Sequence, residues 1–178
     1  MLASSMSIAF AAGVSALSLV AINLASMVLA GRRWLRRSPG SASADRPPVS
    51  IVRPLFGLET FSRETIEASF HIDWPEYEVL FCVQRRTDLI IPLVEAAIAA
   101  HPDIPARLLI GDDPISANPK LNNCVKGWAA ARHDFVVLVD SNSLTPTDYL
   151  ERLMGEMRPG VGMVVSMPLG VRPGNFFA

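Results

Sequence analysis

Asp134-Phe135-Val136-Val137-Leu138-Val139-Asp140-Ser141-Asn142 is the stretch whose reading decides the fold, together with Asn118-Pro119-Lys120-Leu121-Asn122-Asn123 ahead of it. The apolar run 135–139 has the pattern of a central parallel strand covered on both faces, and it ends in an acidic residue. The earlier stretch opens a helix. Asn118 can cap it, and Pro119 takes the first helical position, where a missing N–H costs nothing. Apolar residues then recur at Leu121, Cys124, Val125, Trp128 and Ala129, a stripe that predicts a face packed on a sheet. Arg132 falls in the last turn, where the macrodipole favours a cation.

Working outward, the same alternation extends back to Val49. Strands are predicted at 49–54, 77–84, 106–110, 134–140 and 161–167, with helices at 60–70, 88–100, 119–132 and 146–157. Thr145 and Pro146 repeat the cap-and-proline signal before the last helix, whose stripe is Leu150, Leu153, Met154 and Met157. Strict alternation of strand and helix means an α/β domain with a mostly parallel sheet flanked by helices. Ligands bind such sheets beyond the carboxyl ends of the strands. No G-x-G-x-x-G and no P-loop is present, so the dinucleotide and NTPase readings lose their main support.

Residues 6–30 carry no charge and are long enough to cross a hydrocarbon core of about 30 Å as one helix. No Lys or Arg precedes them, unlike a secretory signal. Arg32, Arg33, Arg36 and Arg37 follow at once, with Trp34 at interfacial depth, which places the rest of the chain on the cytoplasmic side. Residues 31–48 form a basic flank and a flexible tether rich in Ser, Ala, Gly and Pro, and the soluble domain occupies 49–178.

The formal charge of -1 gives no basis for nucleic-acid binding. Cys82 and Cys124 are too few for a disulfide framework or zinc knuckle and read as buried free thiols. His71, His101 and His133 have no ligand spacing and read as loop or surface residues.

Three side chains at predicted carboxyl ends could carry chemistry. Asp140 could coordinate a hard divalent cation that neutralises a diphosphate, although Asp-Ser-Asn also closes a turn well. Lys120 sits in the first turn of its helix, against the macrodipole, as if an anion were expected there. Free N–H groups at that terminus would add phosphate donors, and Asn123 shares the face of Lys120; a solvated lysine fits equally. Asp88 could accept from a base or ribose, or cap the following helix. Pro54 ends the first strand.

Taken in order, Val49-Ser50-Ile51-Val52-Arg53-Pro54-Leu55-Phe56-Gly57, Asp73-Trp74-Pro75-Glu76-Tyr77, Ala106-Arg107-Leu108-Leu109-Ile110-Gly111, the Asn118–Asn123 block and Val139-Asp140-Ser141 resemble the ceramide glucosyltransferase family. Within that family the chain is most similar to the bacterial hopanoid-biosynthesis branch. The resemblance implies a GT-A fold and an inverting transfer of a hexose or N-acetylhexosamine. The donor would be a UDP-sugar and the acceptor a lipid hydroxyl, hopanoid or ceramide, at the cytoplasmic face of a membrane, the bacterial inner membrane in that branch. By the same resemblance Asp88 matches the aspartate that contacts uridine, and Asp140 the one that holds the diphosphate through Mg²⁺ or Mn²⁺. Pro54, Lys120 and Asn123 complete the UDP-sugar-binding set. Relatives often carry an acidic residue where this chain has Arg85 and Arg86.

The family's general base and its (Gln/Arg)-x-x-Arg-Trp motif would lie downstream, so the chain reads as the C-terminally truncated, N-terminal part of such an enzyme. Arg32-Arg33-Trp34 echoes the motif, but Ala30 stands where Gln or Arg is needed. Two alternatives remain at this point: a polyprenyl-phosphate glycosyltransferase, or a non-catalytic membrane-tethered module that binds a UDP-sugar.

Overall fold

The structure, a computed structural model, describes residues 2–35, 46–112, 114–166 and 170. The chain divides into two units, Met1–Ser41 and Ala42–Ala178. The first is one helix, α1 (Leu2–Leu35). Its segment Phe10–Arg32 has a mean hydropathy of 2.0 and is long and apolar enough to cross a membrane. Three polar side chains within it bond to their own backbone one turn back. Ser15 Oγ donates to Ala11 O, Ser18 Oγ to Val14 O and Asn23 Nδ2 to Leu19 O, each at 2.9 Å. A helix in hydrocarbon has no water to satisfy such groups, so this internal pairing suits that medium. Arg36, Arg37 and the 36–45 part of the tether lie outside the described residues.

The second unit is built on four parallel strands in the order β3-β2-β1-β4. They are β1 (Val49–Pro54), β2 (Tyr77–Val83), β3 (Ala106–Ile110) and β4 (Phe135–Leu138). β1 pairs with β2 from Val49↔Tyr77 to Pro54↔Cys82, and with β4 from Val49↔Phe135 to Val52↔Leu138. Between strands lie α2 (Ser62–Glu67) with a 3₁₀ turn over Ala68–Phe70, α3 (Ile91–Ala100), α4 (Pro119–Ala130) and, last, α5 (Tyr149–Met154).

Side chains alternate across the pleat. One face sends Ile51, Val79, Phe81 and Val83 into the main core, which Ile66, Phe70, Val94, Leu150 and Met154 complete. The other face carries a smaller cluster of Val52, Leu80 and Cys82. There α4 lies so close that a Cβ on Gly127 would sit 2.2 Å from Val52 Cγ1 and 2.9 Å from Cys82 Sγ. Burial pushes the Cys82 thiol up to about 12, which keeps it inert, as expected of a buried cysteine. Cys124 is half-buried, and burial raises its thiol as well.

Four expectations need correction. β4 is not central: among the described strands it lies at an edge, and Leu138 is 48% exposed. The doubly covered strands are β1 and β2, whose residues are buried throughout. The apolar stripe of α4 does not pack on the sheet. Leu121, Val125 and Trp128 are exposed, whereas Asn122, Asn123 and Gly127 are buried, because only the glycine side permits so close an approach. Thr145 caps no helix. The Asp73 N–H donates to Thr147 O at 2.8 Å and holds this segment out of helical form, so α5 begins at Tyr149. Finally, 161–166 forms no strand, and Met167 lies outside the described residues.

At the amino ends of the strands, a buried carboxylate joins β1, β2 and β3. Glu78 accepts from Ser50 Oγ at 2.8 Å, Arg107 NH2 at 3.1 Å and the Arg132 N–H at 2.8 Å. Burial alone would raise its carboxyl. The Arg132 N–H, Ser50 and Arg107 outweigh that effect and hold it below the ordinary carboxylate range.

Two measurements follow from this packing. Gly127→Ala should lower stability by about 1–3 kcal/mol in urea unfolding, since neither Val52 nor Cys82 has free volume to yield. Because the Glu78 carboxyl is lowered on folding, its stabilisation is complete above the unfolded value of about 4.3 and fades as pH falls through the folded value. The urea midpoint should therefore drop on acidification, and Glu78→Gln should flatten that slope.

Candidate functional site

The carboxyl ends of the strands gather two of the residues singled out by sequence. Asp140 follows β4 directly, and Lys120 projects from the first turn of α4. Lys120 Nζ meets Asp140 Oδ1 at 2.6 Å, with both side chains more than half exposed. The lysine that sits against its helix dipole is thus balanced by the protein's own carboxylate. The N–H donors beside it are already engaged. Asn118 caps α4, its Oδ1 accepting from Lys120 N at 3.0 Å and Leu121 N at 3.3 Å. The expectation that these amides are free for phosphate is therefore corrected: the same asparagine that starts the helix occupies them.

The other site candidates are placed differently. Asn123 is 4% exposed, on the buried side of α4 with Asn122 and Gly127. Pro54 is buried at the end of β1. Asp88 bridges two loops: Oδ1 and Oδ2 accept from Gly57 N at 3.0 and 3.1 Å, and Oδ1 also accepts from Ile90 N at 3.0 Å. Gly57 takes φ 64, the left-handed region that favours glycine, which turns its N–H toward the carboxylate. Asp88 therefore links the β1 and β2 exit loops rather than capping α3, whose first residue is Ile91.

Two residues that hold this edge together were not singled out as site candidates from the sequence. Arg53, 0% exposed, lies under the Asp140 loop. Its NH1 donates to Thr65 O at 2.7 Å and Ser69 Oγ at 2.8 Å, and its NH2 to Asp140 O at 3.0 Å and Ser143 O at 2.8 Å, with Ser141 O at 3.4 Å. Burial lowers this guanidinium to about 10, with Tyr149 and Asp140 acting in the opposite direction, so it stays charged at neutral pH. Lys126 Nζ donates to Val83 O at 2.9 Å and to Gly111 O, joining the ends of β2 and β3. An arginine inside a mostly apolar strand was the available signal for the first. Nothing local signals the second.

The three histidines lie in loops, as expected, with His71 exposed and His101 and His133 half-buried. His101 Nε2 lies 2.7 Å from Glu67 Oε2, and its ring stacks on Phe70 at 4.6 Å and meets His71 edge-on at 5.2 Å. This cluster sits by α2 and the end of α3 and joins no metal-binding group.

Among the described residues no three of His, Cys, Asp or Glu gather in a way that could hold a metal ion. Asp140 offers one accessible carboxylate, next to a lysine. Such a donor set does not suit a cation held by protein alone. It does suit a hard cation that keeps waters and shares a bound diphosphate, as Mg²⁺ commonly does.

The parallel sheet flanked by helices is a GT-A-like fold. A mannosyltransferase from Pyrobaculum calidifontis, solved with GDP-Man and Mn²⁺, shares this fold with a TM-score of 0.57 and 22% identity, over 78% of this chain and 42% of that one. The chain belongs to glycosyl transferase family 21, whose profile matches residues 13–178. It is 36% identical to a ceramide glucosyltransferase of Komagataella phaffii over 98 residues, 53% of this chain and 19% of the relative. It is 31% identical to that of Candida albicans over 152 residues, 71% of this chain and 28% of the relative. The chain thus spans less than a third of the length of these relatives.

An exposed ion pair contributes little to stability. Lys120→Ala should therefore change the unfolding free energy by less than about 1 kcal/mol, as should Asp140→Asn, in equilibrium denaturation.

Proposed function

We propose that this chain carries the donor-binding part of a membrane-anchored lipid glycosyltransferase. The donor is a UDP-sugar, a hexose or N-acetylhexosamine, and the acceptor is the hydroxyl of a hopanoid or ceramide. The observation that carries the reading is the Lys120–Asp140 pair at the carboxyl edge of a sheet belonging to a glycosyltransferase family. Two residues of opposite charge wait there in contact, each exposed enough to exchange its partner for a ligand. The ceramide glucosyltransferases to which the chain is similar supply the acceptor class.

In this reading Asp140 is the protein ligand of a divalent cation, Mg²⁺ or Mn²⁺. When bound, that cation would stabilise charge on the leaving diphosphate as a Lewis acid. Lys120, released from Asp140, turns its ammonium to the phosphate oxygens and supplies a second positive charge. Asp88, through Gly57 and Ile90, sets the shape of the wall where uridine would lie. Pro54 at the end of β1 and Asn123 on α4 complete the UDP-sugar-binding set in this reading. No described residue is assigned the role of general base, so inversion at the anomeric carbon requires a base outside this set. The apolar α1 segment would anchor the domain at the cytoplasmic face, the bacterial inner membrane in the hopanoid branch.

The test is calorimetric titration of the full chain in detergent with UDP, with and without Mn²⁺. Metal-dependent binding is expected, weakened at least about tenfold in Asp140→Ala and several-fold in Lys120→Ala. Absence of binding in the presence of metal, or equal affinity in Asp140→Ala, rules the donor site out.

A further inference from the structure

We infer that Arg53 is a positioning residue of the donor site, which holds Asp140 in its outward orientation by gathering the carbonyls of the Asp140–Ser143 loop. The inference rests on the donor-site reading above and adds a residue that reading does not use.

The sheet ladder ends just before the loop. Leu138 is the last residue of β4 in register, and the Val139 N–H to Val52 O bond at 2.9 Å is the last tie to β1. Beyond it the loop has one internal turn bond, Ser143 N to Asp140 O at 3.1 Å. Two side-chain contacts reach the loop from its exposed side, Lys120 on the Asp140 carboxylate and a long Ser141 Oγ to Glu59 Oε1 bond at 3.5 Å, but its backbone is fixed to the domain by the guanidinium, at 3.0 Å from Asp140 O and 2.8 Å from Ser143 O. With these carbonyls turned inward onto the cation, the Asp140 carboxylate is left facing out, 53% exposed and in reach of Lys120.

The opposite end of the same guanidinium is anchored on α2, through Thr65 O and Ser69 Oγ. A planar fork is needed for this, because the two sets of acceptors lie on opposite sides of the group and a single ammonium could not serve both. The arrangement is not an economical way to fill space. An apolar side chain of similar volume would avoid desolvating a charge, and such replacements are often neutral or stabilising. It would leave the loop carbonyls without their donor and the aspartate without a fixed orientation. The cost of burial is accepted where orientation matters.

Arg53→Met and Ser69→Ala in the full chain test this, with two readouts. The first is amide hydrogen exchange at Ser143, compared with Val79 and Phe81 in the core. The second is Mn²⁺-dependent UDP affinity per folded molecule. In Arg53→Met the Ser143 amide should exchange about tenfold faster while the core amides hold, and UDP affinity should fall by about tenfold. Loss of stability alone would instead speed exchange throughout and leave the affinity of folded molecules unchanged. Should Arg53→Met not fold, Ser69→Ala decides, removing one anchor of NH1 with an expected change of about threefold in both readouts. A folded variant with Ser143 exchange unaltered, or with UDP affinity undiminished, overturns the role of Arg53. A wild-type chain that binds no UDP with metal present overturns the donor-site reading itself, while the exchange data still report whether Arg53 holds the loop.

Discussion

A single guanidinium, fully buried at the end of β1, joins α2 to the loop after β4. Among the described residues Arg53 is the only side chain on the main-core face of the sheet that brings a permanent charge to that depth, and its NH1 and NH2 hydrogen bonds all go to oxygens, while its buried Nε has no partner. A buried cation left unpaired is strongly unfavourable, so the surrounding backbone has to converge on it. That requirement fixes α2 against the sheet and closes the β4 exit loop around one geometry. The outward aspartate of the candidate site is a consequence of the same constraint.

The other face of the sheet depends on an absence. Gly127 lets α4 approach Val52 and Cys82 within a distance no side chain would allow. The close approach in turn brings Lys126 over the ends of β2 and β3, and Lys120 to the side of Asp140. Beyond the opposite end of α4, the Arg132 N–H and Arg107 satisfy the buried Glu78 carboxylate. The sheet is thus tied by charge at both ends, through carboxylate at the amino side and guanidinium and ammonium at the carboxyl side. Neither end works without the dense apolar middle that excludes water between them.

Local signals were legible wherever neighbours in sequence supply the physics. The strands at 49–54 and 106–110 are found at those residues, and the Asn118-Pro119 start of α4 is realised by two hydrogen bonds to the cap oxygen. The same reading failed where a distant group competes. Thr145-Pro146 has the form of a helix start, yet the Asp73 N–H claims the carbonyl of Thr147 and delays the helix to Tyr149. The stripe of α4 was correctly helical and assigned to the wrong side, because hydropathy carries no account of how closely a backbone must pack. Asp140 and Lys120 were each ambiguous in sequence, and their pairing at 2.6 Å is what makes them one candidate site.

By itself the sequence determined the class of fold, the alternation that makes the sheet parallel, the long apolar segment at its start and the acidic end of β4. These follow from periodicity, capping chemistry and propensity, which act over a few residues. Only the tertiary structure decided that β4 lies at an edge among the described strands, that α4 turns its polar and glycine side to the sheet, and that Arg53 reaches across 87 positions to Asp140. Such contacts are set by strand order and by the need to satisfy a buried charge, and neither is written in any local stretch of chain.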